Sequence, residues 1–204
     1  MKSRCIKSIF TILIGLGLPG SIHAGQFHFP VGFTYVQGIN DAVDKLDELY
    51  TDAGFTFEKS FVVPVGLSLS PYYEFDNGLG IGMSVGPTAV VAIENRTSFS
   101  FSGDADLSYI IPVGADLRYT FLRDKNVSPY LRLGLRYPIV GGPNLDSSQV
   151  GPCGAIGLDL WRTKKVGMGV EVGYDASKVK VSGPFGNTKE ATFPDLTVSL
   201  FVRF

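Results

Sequence analysis

Residues 191–204 read A-T-F-P-D-L-T-V-S-L-F-V-R-F. Leu196, Val198, Leu200, Val202 and Phe204 fall on one parity, and Asp195, Thr197, Ser199 and Arg203 fall on the other. Side chains alternate across a strand, so this period makes a ribbon with one apolar and one polar face. Phe201 breaks the rule.

The alternation recurs about seven times upstream, which predicts an all-β chain of about eight strands. Phe27, Phe29, Val31, Phe33 and Tyr35 oppose His28, Pro30, Gly32 and Thr34; residues 60–75 carry Phe61, Val65, Leu67, Leu69, Tyr73 and Phe75 on one parity. Leu79, Ile81, Met83 and Val85 open a third strand. In the fourth, Leu107, Tyr109, Leu117, Tyr119 and Phe121 oppose Ser108, Gly114, Asp116, Arg118 and Thr120; in the fifth, Leu131, Leu133, Leu135 and Tyr137 oppose Arg132, Gly134 and Arg136. Ile156, Leu158 and Leu160 against Cys153, Gly157 and Asp159 make the sixth, and Met168, Val170, Val172 and Tyr174 against Glu171, Gly173 and Asp175 the seventh. Near Val179 and Val181 the parity slips, which predicts a bulge.

The connections alternate in length. Asp76-Asn77-Gly78, Arg123-Asp124-Lys125-Asn126 and Arg162-Thr163-Lys164-Lys165 read as tight turns. Residues 94–103, 141–149 and 182–190 are rich in Gly, Pro, Asn and Ser and read as loops. The first connection differs. Val43, Leu46, Tyr50 and Ala53 recur at helical spacing among acidic residues, predicting a short amphipathic helix over 40–53 with Asn40 or Asp41 as N-cap and Gly54 as its stop.

At the other end of the chain, Lys2, Arg4 and Lys7 precede the apolar run 9–18, and small residues lead up to Ala24. That is the pattern of a secretory signal peptide over residues 1–24, leaving one domain of residues 25–204. Cutting there removes three basic and no acidic residues, so the net charge of −1 becomes −4. Nucleic acid is not the expected partner. Cys5 leaves with the signal, and Cys153 stands alone, which precludes an intrachain disulfide and fits a small side chain packed in a strand.

Which face is wet follows from the polar parity. A water-exposed face would carry many Lys and Glu, yet this one holds Gly80, Gly82, Gly86, Gly114, Gly134, Gly157, Gly167, Gly169 and Gly173 among isolated charges. Glycine leaves room where opposing walls come close, and an eight-stranded barrel is just wide enough for its inward side chains to fill. Symmetric turns would set Glu74 opposite Gly80, Asp159 opposite Gly169 and Glu171 opposite Gly157. The polar face therefore lines a lumen and the apolar face meets lipid. Tyr73, Phe75, Tyr119, Phe121 and Phe204 gather at one rim and Tyr35, Tyr109, Tyr137 and Tyr174 towards the other, as two aromatic girdles.

Signal, strand count, loop asymmetry and the closing aromatic together resemble the small bacterial outer-membrane β-barrel superfamily, which includes the transmembrane domain of outer-membrane protein A. The resemblance implies an eight-stranded antiparallel up-and-down barrel in a Gram-negative outer membrane. It also implies that both termini are periplasmic, that lipid and lipopolysaccharide surround the barrel, and that Phe204 forms part of the signal read by the assembly machinery. The four long loops would then face outward, where an extracellular partner would meet them.

The chemistry readable here is a set of lumen charges: Glu74, Asp116, Arg118, Arg132, Arg136, Asp159, Glu171 and Arg203. Charges in a narrow lumen are costly unless paired, so a salt-bridged network is expected, either sealing the barrel or re-pairing to gate it. Some barrels of this size modify lipid A, which takes a His with a Ser or acidic partner near the outer leaflet. After the signal only His28 remains, and it lies near the other rim. No cofactor or zinc spacing is present. The expected function is non-enzymatic: envelope structure and surface interaction through the loops, with a narrow solute channel as the alternative.

Overall fold

The computed structural model describes residues 25–54, 58–62, 65–86, 89–94, 105–142, 144–183, 185–192 and 196–204. The signal region 1–24 and most of the loop read over 94–103 lie outside them. In chain order the elements are β1 (Gln26–His28), β2 (Pro30–Val36), α1 (Gly38–Asp52), β3 (Glu58–Val62), β4 (Val65–Leu69), β5 (Tyr72–Glu74), β6 (Leu79–Val85), β7 (Ala89–Glu94), β8 (Ala105–Thr120) and β9 (Val127–Gly141). They continue as β10 (Leu145–Gln149), β11 (Gly151–Leu160), β12 (Gly167–Asp175), β13 (Lys178–Ser182), β14 (Thr188–Thr192) and β15 (Leu196–Arg203).

Eight staves close a ring. β15 pairs antiparallel with β2, Leu200 opposite Phe33 and Val202 opposite Val31. From there the order runs β12, β11, β9, β8 and β6, and β6 returns through β5 and β4 to β1 and β2. Closure leaves the wall without an edge, so each stave has a neighbour on both sides. The registers are those expected from symmetric turns: Glu74 faces Gly80, and Asp159 and Glu171 face Gly169 and Gly157.

Three tight connections and both described chain ends share one end of the barrel, here the turn end. Gly78 takes φ +84°, and the Leu79 amide donates to Asn77 Oδ1 at 3.0 Å. The other two turns each begin on a residue that is not glycine in the left-handed region, Leu122 at φ 50° and Trp161 at φ 54°. Amides three residues on, at Lys125 and Lys164, donate to their carbonyls at 2.9 Å.

The alternation partitions the side chains as predicted. Phe33, Met83, Leu133, Ile156 and Leu200 point outward and are exposed, while Thr34, Ser84, Asp116, Arg118, Asp159 and Arg203 point inward and are buried. In a water-soluble protein that distribution is inverted. Phe201 turns inward with Thr197 and Ser199.

At the far end, the loop end, the structure departs from the sequence reading in three places. The stretch 141–149 contains β10, and the stretch 182–190 runs into β14; with β13 between them these form a separate three-stranded sheet. The bulge expected near Val179 is instead an exit: the wall stops at Asp175, and beyond Ala176 and Ser177 the chain turns its apolar parity into the protein. Val179 and Val181 are fully buried in a second core. The helix also starts earlier than its predicted cap. The Gln37 amide is held by the Leu196 carbonyl at 3.0 Å, so α1 begins directly after β2, and Asn40 lies inside its first turn. Gly54 at φ +82° does follow its end.

Ala42, Val43, Leu46, Leu49 and Tyr50 of α1 pack with Val179, Val181 and Ala191 of the small sheet. Val36, Ile110 and Val140, from the ends of three wall strands, complete that cluster. The cap is therefore continuous with the barrel.

Candidate functional site: the lumen and its two closures

β5, β8 and β11 put Glu74, Arg118 and Asp159 on the inward parity, where opposite walls bring them together. Arg118 Nη2 donates to Asp159 Oδ2 at 2.6 Å, and its guanidinium lies 3.4 Å from the Tyr130 ring centroid and 4.4 Å from that of Tyr72. Asp159 also accepts from Arg162 Nη1 at 2.9 Å, and Arg162 reaches on to Glu74. Glu74 takes a further bond from Thr120 Oγ1 at 3.1 Å. A cation between two ring faces, chained to two carboxylates, spans this layer.

A second group lies beside the first. Arg132 binds Glu171 through Nη2 and Nε at 2.5 and 3.1 Å and Asp116 through Nη1 at 3.2 Å. Tyr130 donates to Glu171 at 2.8 Å, which joins the two groups. Farther along, Arg136 meets Asp175 at 3.5 Å and donates to Ser84 Oγ at 2.9 Å. Cys153 Sγ lies 3.7 Å from Asp116 Oδ1 and is a free thiol packed against this layer.

Seven of the eight residues singled out in the sequence thus make ion pairs in the lumen. The eighth, Arg203, makes none among the described residues: it donates to the Arg162 carbonyl at 3.0 Å and meets His28 Nδ1 at 3.1 Å. Sequence reasoning missed four members. Tyr72 and Tyr130 were legible, since they share parity with Glu74 and Arg132. Asp175 was noted on the polar parity but not joined to the set, and Arg162 was hidden in a turn.

Between the ionic layer and the cap is a cavity of about 50 Å³, lined among others by Thr34, Ser68, Ser84, Asp116 and Arg136. It has room for a few waters. Beyond it the inward parity becomes apolar: Pro112 and Pro138 face each other across β8 and β9, and Val36 and Ile110 lie under the cap core. Along the bore, ions and rings thus lie on the turn-end side of the cavity's polar lining and apolar packing lies on the loop-end side.

No family model and no curated protein matches the sequence. Among solved structures, the outer membrane protein OprG from Pseudomonas aeruginosa is similar with a TM-score of 0.56 at 14% identity, covering 88% of this chain and 95% of that one. Outer Membrane Protein W of E. coli gives 0.51 at 16% identity over 89% and 98% of the two chains. The outer membrane protein AlkL gives 0.51 at 14% over 92% and 93%. The chain has the eight-stranded antiparallel barrel fold that these outer-membrane proteins share.

Proposed function

We propose that this chain is a closed, non-enzymatic integral barrel of a Gram-negative outer membrane that contributes to envelope structure and displays α1 and the β10–β13–β14 sheet at the cell surface. In this reading the turn end and both termini are periplasmic. Lipid and lipopolysaccharide contact the outward face, Phe204 is read by the assembly machinery, and an extracellular partner meets the cap. The likeness to the transmembrane domain of outer-membrane protein A extends, in this proposal, to a polar lumen that serves stability rather than transport.

The observation that carries the reading is the layer Glu74–Arg162–Asp159–Arg118 clasped between Tyr72 and Tyr130. Breaking a buried pair costs about 3–5 kcal/mol, so spontaneous opening is rare. In planar bilayers the purified protein is expected to leave the membrane insulating, and liposomes containing it should not swell in small sugars. Steady ohmic steps would favour the second reading, a narrow channel, which the cavity beside Arg136 supports because a solute entering from the loop end would find a polar chamber there. A catalytic role is disfavoured by the setting of His28, buried against Arg203 and Tyr72 with no carboxylate or serine bound to it among the described residues. Unchanged lipid A mass on expression is the matching expectation.

A further inference from the structure

Glu74, Asp116, Asp159, Glu171 and Asp175 each pair with one or more of Arg118, Arg132, Arg136 and Arg162, whereas Arg203 makes no ion pair among the described residues. Arg203 is only 3% exposed, its two contacts are the neutral His28 ring and a backbone carbonyl, and its Nε has no acceptor. Arginine only donates, so His28 accepts at Nδ1 and carries its own proton on Nε2, a second buried donor without a partner. Two unfilled donors and a buried cation that makes no ion pair among the described residues are placed to receive an anion.

They lie at the floor of an open vestibule of about 610 Å³ at the turn end. Lys164, Lys165 and Arg123 line its rim. Neither lysine makes an ion pair among the described residues, and Arg123 is held by an exposed contact to Asp76 and a hydrogen bond to the Phe75 carbonyl, both at 3.4 Å. Asp124 is the one acidic side chain lining the space. A guanidinium fork below and exposed ammonium groups above suit a compact, multiply charged oxyanion better than a single carboxylate.

We propose that this vestibule is a binding site for free phosphate-class oxyanions, with Arg203 and His28 as its floor and Arg123, Lys164 and Lys165 as its rim. The assignment rests on the geometry of the mouth and holds whether the lumen beyond is sealed or conducting. Isothermal titration of inorganic phosphate into the full mature chain in uncharged detergent, at low chloride and neutral pH, tests it. One saturable phosphate per barrel is expected. Arg203→Gln should weaken it by about tenfold or more, the loss that accompanies removal of a charged hydrogen bond. The triple variant Arg123→Gln/Lys164→Gln/Lys165→Gln, which removes no buried side chain, should weaken it by roughly threefold or more, and so keeps the test decisive if Arg203→Gln does not fold. Lys178→Gln/Lys180→Gln in the cap should leave it unchanged. Absence of saturable binding, an affinity indifferent to the triple variant, or binding to micelles containing phosphatidic acid without binding to inorganic phosphate would overturn the proposal.

Discussion

Arg118 shows how one residue's environment is set from several strands. Its charge is balanced by Asp159, its planar faces are covered by Tyr72 and Tyr130, and its Nε lies 3.4 Å from Thr120 Oγ1. Arg118→Ala is expected to leave a hole between the rings and Asp159 with Arg162 alone. The loss, about 3–5 kcal/mol by analogy with broken buried pairs, should appear as a lower urea midpoint in detergent refolding. Glycines on the same parity taught the sequence reading only half of their role. Gly157 does face Glu171, but the space a Cβ would fill there belongs to the Tyr130 ring. Gly169 and Gly32 likewise make room for Phe201, which explains why that residue points inward against the pattern of the closing strand. Parity names the residues that share a wall, whereas which long side chain leans over which glycine depends on the register with the adjacent stave, which sets Tyr130 beside Gly157 and Phe201 beside both Gly169 and Gly32.

Among the elements, α1 carries the largest surprise, because the sequence read its surroundings as loops. Short, polar strands such as Leu145–Gln149 and Thr188–Thr192 alternate weakly, and they become a sheet only when the helix supplies the other half of their core. The helix itself was legible from its stripe, since tertiary packing of an amphipathic face stabilises a segment of this length. Leu46 is 2% exposed at the centre of that face. Leu46→Asp is expected to unseat α1, raising hydrogen exchange in α1, β13 and β14 while leaving β8 and β9 protected, with a local loss of about 2–5 kcal/mol.

Charge also couples the same helix to pH. Lys189 donates to Glu48 at 3.0 Å and to Asp52 at 3.2 Å. The hydrogen bond from Lys189, joined by one from Lys45, holds the Glu48 carboxyl below its ordinary 4.5, and the Glu48 bond holds the Lys189 ammonium above its ordinary 10.5. A depressed acid contributes above its unfolded value and stops contributing as pH falls through its folded one. A raised base contributes below its unfolded value and loses that contribution as pH rises through its folded one. Docking of α1 should therefore be firmest between these limits and loosen below about pH 4.5, read as faster amide exchange in α1 relative to the wall strands. In Lys189→Gln the acid-side loosening should be smaller, since Lys45 alone then remains beside Glu48.

For the molecule as a whole, everything turns on which solvent meets the outward parity. Leu133 lies near the middle of β9 and Val127 at its turn-end start, and both are about half exposed, at 56% and 51%. The two positions differ in distance from the ends of the barrel and little in local packing. If lipid surrounds the wall, Leu133→Arg must place a cation near the centre of the hydrocarbon and should cost about 2–4 kcal/mol, whereas Val127→Arg at the interface should cost about 0–1. Equilibrium unfolding from phospholipid vesicles measures the difference. If water surrounds the wall, depth has no meaning, and both substitutions should improve solubility with little change in stability. Alternation alone could not supply this answer, because an inside-out barrel and a soluble one share the same period; the glycines on the polar parity pointed that face at a lumen, and the inward burial of Asp159 at 0% and Arg203 at 3% agrees. A depth-independent response at Leu133 and Val127 would therefore contradict the membrane placement even with the fold intact.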